Sequence, residues 1–187
     1  VVEDEYLEKI EERILKMDDF IKDMLNYSRA SRMEVKKEQI DFDEIINDCL
    51  HDLEYLEGYG DLKVSVNFEN GHSTAKSDLL RNRIIFGNII SNAFKYRKVD
   101  SLTPSYLIIN LRITEDYYQV EFKDNGIGVS EEFIDHVFDM FFRATEKSDG
   151  SGLGMYIVKQ SVQKLKGDIN IESKLGEGTD ITIEIPL

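Results

Sequence analysis

Apolar positions near the start of the chain follow a heptad repeat. They recur at alternating spacings of three and four residues, the pattern of a helix that packs along one seam. The series comprises Leu7, Ile10, Ile14, Met17, Ile21 and Met24, and the polar Ser28 closes it. Phe20 and Leu25 widen the stripe toward bundle packing. We therefore predict a long coiled-coil-like helix that meets other helices, with docking on the chain's own globular domain as the alternative.

From about residue 36 the pattern changes to short strands separated by helices. The segments KEQIDF and LKVSVNF predict single strands. Two further pairs predict hairpins: YLIINLRI with YYQVEFKD, joined at 114–116, and DINIES with TDITIEI, joined around 176–178. Strands that come mainly as hairpins, with helices between them, favour a mixed, mostly antiparallel sheet with helices on one face. The predicted fold class is an α/β sandwich.

Four helices are predicted between these strands. The first is capped by Asp41 or Asp43 and ends at Gly58, and the second opens at Ser77–Asp78 and runs to about Lys95. A short helix at about 131–138 precedes a polar loop at 143–152, and the last helix runs from 153 to 167. We predict that residues 144–151 close over a bound ligand.

Composition and charge exclude several kinds of function. The net charge of −14 over 187 residues argues against nucleic-acid partners and against attraction to anionic lipid. A single cysteine, Cys49, rules out an internal disulfide, and together with only three histidines it argues against structural zinc. No apolar stretch is long enough to span a bilayer. We expect a cytoplasmic fragment, and a membrane anchor upstream of residue 1 stays open.

Asp124 opens the motif DNGIG directly after a predicted strand. A carboxylate only accepts hydrogen bonds, which suits an exocyclic amine such as that of adenine. Gly126 and Gly128 would let the backbone approach a flat ring. By itself, the motif is equally well explained as an ordinary turn.

A second glycine motif, GSGLG at 150–154, leads straight into the last helix. Backbone N–H groups at a helix start, without side chains in the way, form a phosphate cradle. A flexible loop that ends in a helix cap is the alternative. No G-K-[ST] follows, and Met155 stands where a dinucleotide fingerprint needs glycine.

Asn88 and Asn92 lie on one face of the second predicted helix, among apolar residues. Their amide oxygens are candidate Mg²⁺ ligands, although hydrogen bonds to neighbouring backbone would also satisfy them. Lys95 is a candidate phosphate contact, and Tyr96 a candidate for stacking on a purine. Arg143, a further candidate phosphate contact, follows three phenylalanines that look like an anchor for the polar loop.

In this order, NIISNAFKY, DNGIG, FDMFFR and GSGLG resemble the four motifs of the ATP-binding domain of sensor histidine kinases. That family is grouped with gyrase-type, heat-shock chaperone and mismatch-repair ATPases (the GHKL group). The resemblance covers roughly residues 36–187 and implies a catalytic domain of the Bergerat-type fold. LNYSRA resembles the end of the second helix of the family's dimerisation hairpin. Residues 1–35 would then be that helix, with the first hairpin helix absent.

The resemblance also implies roles for single residues. Asn92 would ligate Mg²⁺ with support from Asn88, while Lys95 and Arg143 would contact phosphates and Tyr96 would lie near the base.

At the base itself, Asp124 would accept from the adenine amine, with Gly126 and Gly128 beside the ring. Thr179, in GEGT, would line the adenine side. The lid over the triphosphate would end at Gly150, Gly152, Leu153 and Gly154.

The position of Asn88 favours a kinase over an ATPase. In the gyrase and chaperone branch, a glutamate four residues before the metal-binding asparagine activates water, and an amide cannot act as that general base. ATP would instead keep its γ-phosphate for an incoming nucleophile. No acceptor motif of the type H-[ED]-x-[KR]-x-P is present: His51, His72 and His136 are poor candidates. The acceptor histidine is expected on a helix outside this fragment.

The resemblance implies a homodimer through the N-terminal helix and a response regulator as partner. Three other readings stay open: a GHKL-type ATPase, a non-catalytic nucleotide-binding or dimerising module, and a protein serine kinase of the same fold.

Overall fold

The computed structural model describes residues 32–99, 103–144 and 151–187, together with nine residues between positions 10 and 28. These nine lie in helical backbone: Ile10, Ile14, Met17, Phe20, Ile21, Met24, Leu25, Tyr27 and Ser28. The first seven expose large apolar side chains within the single chain. Two of the nine contact the domain, as the docking alternative predicts: Phe20 stacks on Phe141 (ring centroids 6.3 Å apart) and Tyr27 lies against Tyr156 (5.7 Å). The remainder of the predicted N-terminal helix lies outside the described residues, so its continuity and its dimerisation stay predictions.

The described part of the chain contains seven strands and three α-helices. The strands are β1 (Glu38–Asp41), β2 (Leu62–Glu69), β3 (Thr74–Ser77), β4 (Ser105–Ile113), β5 (Tyr117–Asp124), β6 (Asp168–Lys174) and β7 (Gly178–Pro186). The helices are α1 (Phe42–His51), α2 (Leu79–Lys95) and α3 (Gly154–Lys164). Two short 3₁₀ helices cover Tyr59–Asp61 and Glu131–His136.

Five strands form the main sheet, in the order β2-β4-β5-β7-β6. β2 pairs parallel to β4, and the other three pairings are antiparallel, including the predicted hairpins β4–β5 and β6–β7. β1 and β3 form a separate antiparallel pair. This confirms the predicted mixed, mostly antiparallel α/β sandwich.

The core lies between the inner face of the sheet and helices α2 and α3. Alternate residues of each central strand are buried, as the period of two requires. Leu107, Ile109 and Leu111 on β4 belong to the same apolar cluster as Ile85 and Ile89 on α2. Because α2 and α3 pack on the sheet together, their facing sides are fixed with respect to the ends of β5 and β7.

Helix α1 begins where it was predicted but ends early. Asp41 is its N-cap, and its side chain accepts from the Asp43 N–H. The prediction that it continues to Gly58 is wrong. After His51 the backbone bonds shorten to three-residue turns, as Leu53 N–H donates to Leu50 O and Glu54 N–H to His51 O. The apolar spacing beyond residue 51 therefore belongs to irregular turns.

Two other boundaries differ from the prediction. Ser77 ends β3, a strand that the sequence pattern missed, and Asp78 alone caps α2 by accepting from the Arg81 N–H. At the end of α3, Lys166 adopts the left-handed conformation (φ 60°). Gly167 is instead required for close packing, because a Cβ there would lie 2.3 Å from Glu184 O. None of the helices in the described ranges has the length and hydropathy to cross a membrane.

Candidate functional site

One cavity of about 820 Å³ lies between α2, the loop after β5 and the start of α3. Its size is ordinary for a small-molecule or cofactor site. Its lining includes most of the predicted site residues: Asn88, Asn92, Lys95, Tyr96, Asp124, Gly128, Arg143, Gly152, Gly154 and Thr179. Gly126 and Leu153 do not line it, and Gly150 lies outside the described residues. The structure thus brings together motifs that are far apart in sequence.

Asp124 stands at one end of this cavity, at the last position of β5. Burial raises the pKa of its carboxyl, while the backbone N–H groups of Gly126 and Thr179 act against that rise. The Gly126 N–H donates to Asp124 Oδ1 over 2.7 Å. The side chain is therefore a half-buried, oriented hydrogen-bond acceptor. We call this end of the cavity, formed by Asp124, Ile127 and Thr179, the base end.

Backbone hydrogen bonds hold the loop after β5 on two sides. The Ile127 N–H donates to Tyr96 O at the end of α2 (2.9 Å), and the Gly176 N–H donates to Ile127 O (2.7 Å). Lys98 Nζ adds a third link by donating to Gly176 O (2.7 Å). The loop is thereby clamped between α2 and the turn of the β6–β7 hairpin.

The glycines of this loop are needed by the protein's own backbone. A Cβ at Gly126 would lie 2.6 Å from Tyr96 O, and one at Gly128 would lie 2.1 Å from Lys174 O. Gly128 also has a positive φ of 66°. Both glycines were predicted to allow close approach of a ligand ring. In the structure, contacts with the protein's own backbone already exclude a side chain at either position.

Thr179 lies beside Asp124 in the β5–β7 register. Its hydroxyl is 2.9 Å from Ser173 Oγ. Ser173 Oγ also donates to Gly178 O and accepts from the Val129 N–H, at 2.8 and 2.9 Å. Sequence reasoning missed Ser173. The available signal was its position opposite Thr179 across the predicted hairpin.

Asn125 was also missed, and its role is structural. It is 8% exposed, and its Nδ2 donates to Pro104 O over 3.0 Å. Its Oδ1 accepts from the Tyr106 N–H over 2.8 Å. The side chain therefore connects the end of β5 to the start of β4. Both of its polar atoms are used in these bonds, and it does not line the cavity.

At the other end, which we call the phosphate end, the two predicted amides differ. Asn88 Nδ2 donates to Ile84 O over 2.8 Å, so the backbone bond that was the alternative explanation is present. That bond orients Asn88 Oδ1 toward Gly154, where a Cβ would lie 2.7 Å from it. The side chain of Asn92 has no hydrogen bond within the described part of the chain and lines the cavity.

Lys95 and Arg143 are both exposed and line the cavity, and their place at its phosphate end is a prediction. Helix α3 starts here at Gly154, where its first N–H groups lack partners within the helix. Leu153 itself is buried against Ile84 and Ile157. Contact between residue 153 and a ligand would therefore come from its backbone.

The three phenylalanines before Arg143 do not act as one anchor. Phe142 packs on Phe133, with ring centroids 5.7 Å apart. Phe138 lies under Lys159 Nζ at 5.4 Å. Phe141 is 51% exposed and has a positive φ of 67°. The interpretation as a joint core anchor is therefore wrong for Phe141.

Comparisons with known proteins agree with this geometry. Residues 77–187 match the family model described as histidine kinase-, DNA gyrase B-, and HSP90-like ATPase. The chain is 31% identical over 183 residues to the methanogenesis regulatory histidine kinase FilI of Methanothrix harundinacea, which covers 96% of this chain and 20% of the relative. It is 30% identical over 160 residues to the sensor protein RprX of Bacteroides fragilis, covering 82% of this chain and 30% of the relative.

Among solved structures, the mycobacterial sensor histidine kinase MprB superposes with a TM-score of 0.66 at 25% identity, covering 81% of this chain and 97% of that one. The chain therefore belongs to the histidine kinase-, DNA gyrase B- and HSP90-like ATPase family, whose domain binds ATP. Within this family it is homologous to the catalytic domains of sensor histidine kinases. It spans about a fifth to a third of the curated relatives named above.

Proposed function

We propose that this chain binds Mg-ATP and transfers the γ-phosphate to a histidine on a helix outside residues 1–187. The observation that carries the proposal is the convergence of chemically distinct groups on one cavity. An acceptor carboxylate, two side-chain amides and two cations line this cavity, together with glycines at the start of a helix. ATP needs both kinds of group, an acceptor for the amine of its base and positive or metal-binding groups for its phosphates.

The nucleotide would lie along the cavity with its adenine at the base end. Asp124 would accept from the exocyclic amine, and Tyr96 would lie near the base. Lys95 and Arg143 would pair with phosphate oxygens. The free N–H groups at the start of α3 add a second source of positive potential.

The residues present fit a Mg²⁺ ion that comes with the phosphates. The described residues hold no cluster of three or more His, Cys, Asp or Glu that would bind a metal by itself. Asn92 presents an amide that has no hydrogen bond in the described part of the chain, and Asn88 lies one turn before it on the same side. Mg²⁺ keeps several waters and takes few protein ligands when substrate phosphates supply the others. Bound there, the ion would neutralise charge on the phosphate oxygens.

Phosphoryl transfer needs no general base at Asn88. In the proposed step, a histidine ring nitrogen attacks the γ-phosphorus, the bond to the β-phosphate oxygen breaks, and ADP leaves. The chain's own residues position the phosphates and balance their charge. None of its histidines lines the cavity: His51 pairs with Glu54 and His136 with Asp139, both at the surface.

The proposal extends to the partners of the intact protein. Dimerisation through the N-terminal helix would bury the exposed apolar stripe at Ile10, Ile14 and Met17. A response regulator would take the phosphate from the histidine, as the two-component class requires. A cytoplasmic location belongs to the same proposal, because the proposed reaction consumes ATP and passes the phosphate to a response regulator.

Calorimetric titration with a non-hydrolysable ATP analogue, with and without Mg²⁺, tests the binding step. We expect micromolar to low millimolar affinity that depends on Mg²⁺ and falls in Asp124→Asn. Steady phosphate release by the wild type, lost in the same variant, would instead favour an ATPase. Absence of binding by folded wild type would favour a non-catalytic dimerising module.

A further inference from the structure

An exposed segment precedes β1 and is held to the domain through its backbone and through one surface ion pair, from Lys36 Nζ to Glu38 Oε2 (2.9 Å). The side chains of residues 32–37 are exposed, yet three of the segment's peptide groups bond to two buried residues. These are Asp78, which is 3% exposed, and Arg81, which is fully buried. Neither lines the nucleotide cavity.

Asp78 continues the pairing of β1 where β3 ends. The β1–β3 ladder runs from Asp41–Thr74 to Glu38–Ser77. The next N–H outward from β1 that faces β3 is that of Lys36, two residues before Glu38, and opposite it the chain has already entered α2. There the Lys36 N–H donates to Asp78 Oδ2 over 2.8 Å, so a side-chain carboxylate takes the place of the missing strand carbonyl.

Arg81 binds the same segment through its carbonyls. Its guanidinium donates to Met33 O and, at 3.5 Å, to Glu34 O. It also pairs with Asp78 Oδ2 over 2.7 Å, and both side chains are almost completely buried. A buried guanidinium aimed at backbone carbonyls fixes the path of the segment whatever its side chains are.

A buried polar network connects this pair to the main sheet. Asn82 Nδ2 donates to Ser77 Oγ (3.0 Å) and to Asp78 O (2.8 Å). Tyr118 on β5 donates to Asn82 Oδ1 over 2.7 Å. The segment, the start of α2 and β5 therefore form one hydrogen-bonded junction.

The junction lies on the same side of α2 as the proposed metal ligands. Positions 81, 88 and 92 differ by seven and eleven residues, close to two and three helical turns. Asn88 and Asn92 thus lie roughly 10 and 16 Å from Arg81 along the helix axis, at 1.5 Å per residue. The segment that Arg81 binds therefore lies on the side of α2 that carries Asn88 and Asn92.

We propose that Arg81 and Asp78 are positioning residues that orient the N-terminal helix, and the histidine helix paired with it, toward the γ-phosphate. This inference rests on the proposed kinase function. The pair acts through the backbone of residues 33–36 and contributes nothing to nucleotide affinity. Loosening the junction slows transfer to histidine and leaves the cavity intact.

Two proline variants test the junction with a matched control. Lys36→Pro removes the N–H that Asp78 accepts. Lys37→Pro removes the next N–H along the chain. The N–H groups of successive strand residues point to opposite sides, and the Phe42 N–H donates to Ser73 O. The N–H groups of even-numbered residues such as Lys36 therefore face β3, and that of Lys37 points away from it. Both lysines are exposed, so neither proline disturbs the core. Lys36→Pro also removes the surface ion pair with Glu38, and Lys36→Ala, which loses only that pair, controls for it. Asp78→Asn, which keeps an oxygen for the helix cap but removes the charge, provides a second probe of the pair.

Three readouts separate positioning from general damage. We expect hydrogen exchange of residues 33–41 to rise at least tenfold in Lys36→Pro and Asp78→Asn, and less than twofold in Lys37→Pro. The dissociation constant for a non-hydrolysable ATP analogue should stay within twofold in all three. Phosphoryl transfer to a histidine helix supplied in trans should fall at least fivefold in the first two variants only.

Equal behaviour of the two proline variants, or a loss of nucleotide affinity as large as the loss of transfer, would overturn the assignment. If the wild type binds nucleotide but transfers no phosphate to histidine, the proposed function fails. The hydrogen exchange of residues 33–41 in the two proline variants then remains as the test of the junction. Selective loss of protection in Lys36→Pro supports the junction, and equal protection contradicts it.

Discussion

The two ends of the cavity are built in different ways. At the base end, Ile127 is bonded through both its N–H and its carbonyl. Ser173 makes two hydrogen bonds within the β6–β7 hairpin and accepts a third from the Val129 N–H of the loop after β5. The charged groups predicted for the phosphate end are the exposed side chains of Lys95 and Arg143. The base end is thus fixed by backbone hydrogen bonds, whereas the cations predicted for the phosphate end are long surface side chains.

This difference predicts that the base end affects both the stability of the fold and the affinity for nucleotide, whereas the phosphate end affects affinity alone. Groups already held by the fold lose little freedom when a ligand binds, whereas long exposed side chains are ordered at that moment. Substitutions that disturb the backbone at the base end should therefore change folding stability and nucleotide binding together. Substitution of Lys95 should change binding and leave folding unaltered.

The largest effect is expected at Gly178, whose φ is 122° and where a Cβ would lie 2.0 Å from Asp124 O. Gly178→Ala should cost about 3 kcal/mol of stability and displace Asp124, because backbone strain and overlap act together. Gly176→Ala is the control, since its φ is also positive but no atom lies within 4 Å. It should cost about 1 kcal/mol. Urea unfolding compares the two, and equal losses would show that the hairpin does not press on the base end.

Asp124→Asn should separate binding from stability. A hydrogen bond to a charged group contributes about 1.5–3 kcal/mol, so affinity for adenosine and for ATP should fall about 10- to 100-fold. Because burial raises the pKa of Asp124, ionisation at neutral pH costs the free domain stability. The variant should therefore melt no lower than wild type in the absence of nucleotide. Asp168→Asn, at the exposed start of β6, is the control. Unfolding of Asp124→Asn in the absence of nucleotide would contradict this account.

Lys95→Ala should weaken ATP about fivefold and leave adenosine binding unchanged. The reason is that Lys95 is exposed at the phosphate end, with no assigned contact to the base. The ATP effect should shrink as salt is added. Calorimetry with both ligands measures the ratio, and Lys164→Ala, outside the cavity lining, is the control. An equal loss for adenosine and ATP would place Lys95 at the wrong end.

A smaller effect is expected from pH. The pKa of Asp124 in the free domain is raised above the ordinary 3.8 by burial, so protonation removes the anionic acceptor at a higher pH than usual. Nucleotide affinity should fall as the pH drops through that pKa. For folding, the sign is opposite: the raised pKa means that protonation of Asp124 favours the folded free domain. Affinity measured against pH should be flatter in Asp124→Asn, and identical profiles would contradict the assignment.

Sequence patterns predicted the parts of this fold that depend on local periodicity. Both hairpins and the span of α2 follow from alternation and capping, and Asp78 was recognised as a cap. The early end of α1 was missed because apolar spacing at Leu53 and Leu56 continues past the last helical bond. β3 was missed because only Ala75 is apolar in Thr74–Ser77, and its pairing with β1 is non-local.

Sequence motifs predicted the residues that line the site, but not the residues that hold those elements in place. Asp124, Asn88, Asn92 and Lys95 stand out as residue types in a pattern. Ser173 and Asn125 act through partners distant in sequence, and the burial of Arg81 contradicts the ordinary expectation for arginine. Such roles depend on tertiary contacts, which a single sequence does not display.

The most direct test of the central claim follows the γ-phosphate itself. The chain, with Mg²⁺ and γ-labelled ATP, would be mixed with a histidine-bearing helix that pairs with residues 1–35. We predict acid-labile label on the supplied histidine, no label when that residue is replaced by Gln, and little free phosphate. Release of the label as free phosphate, with none on the helix, would contradict the account and indicate an ATPase.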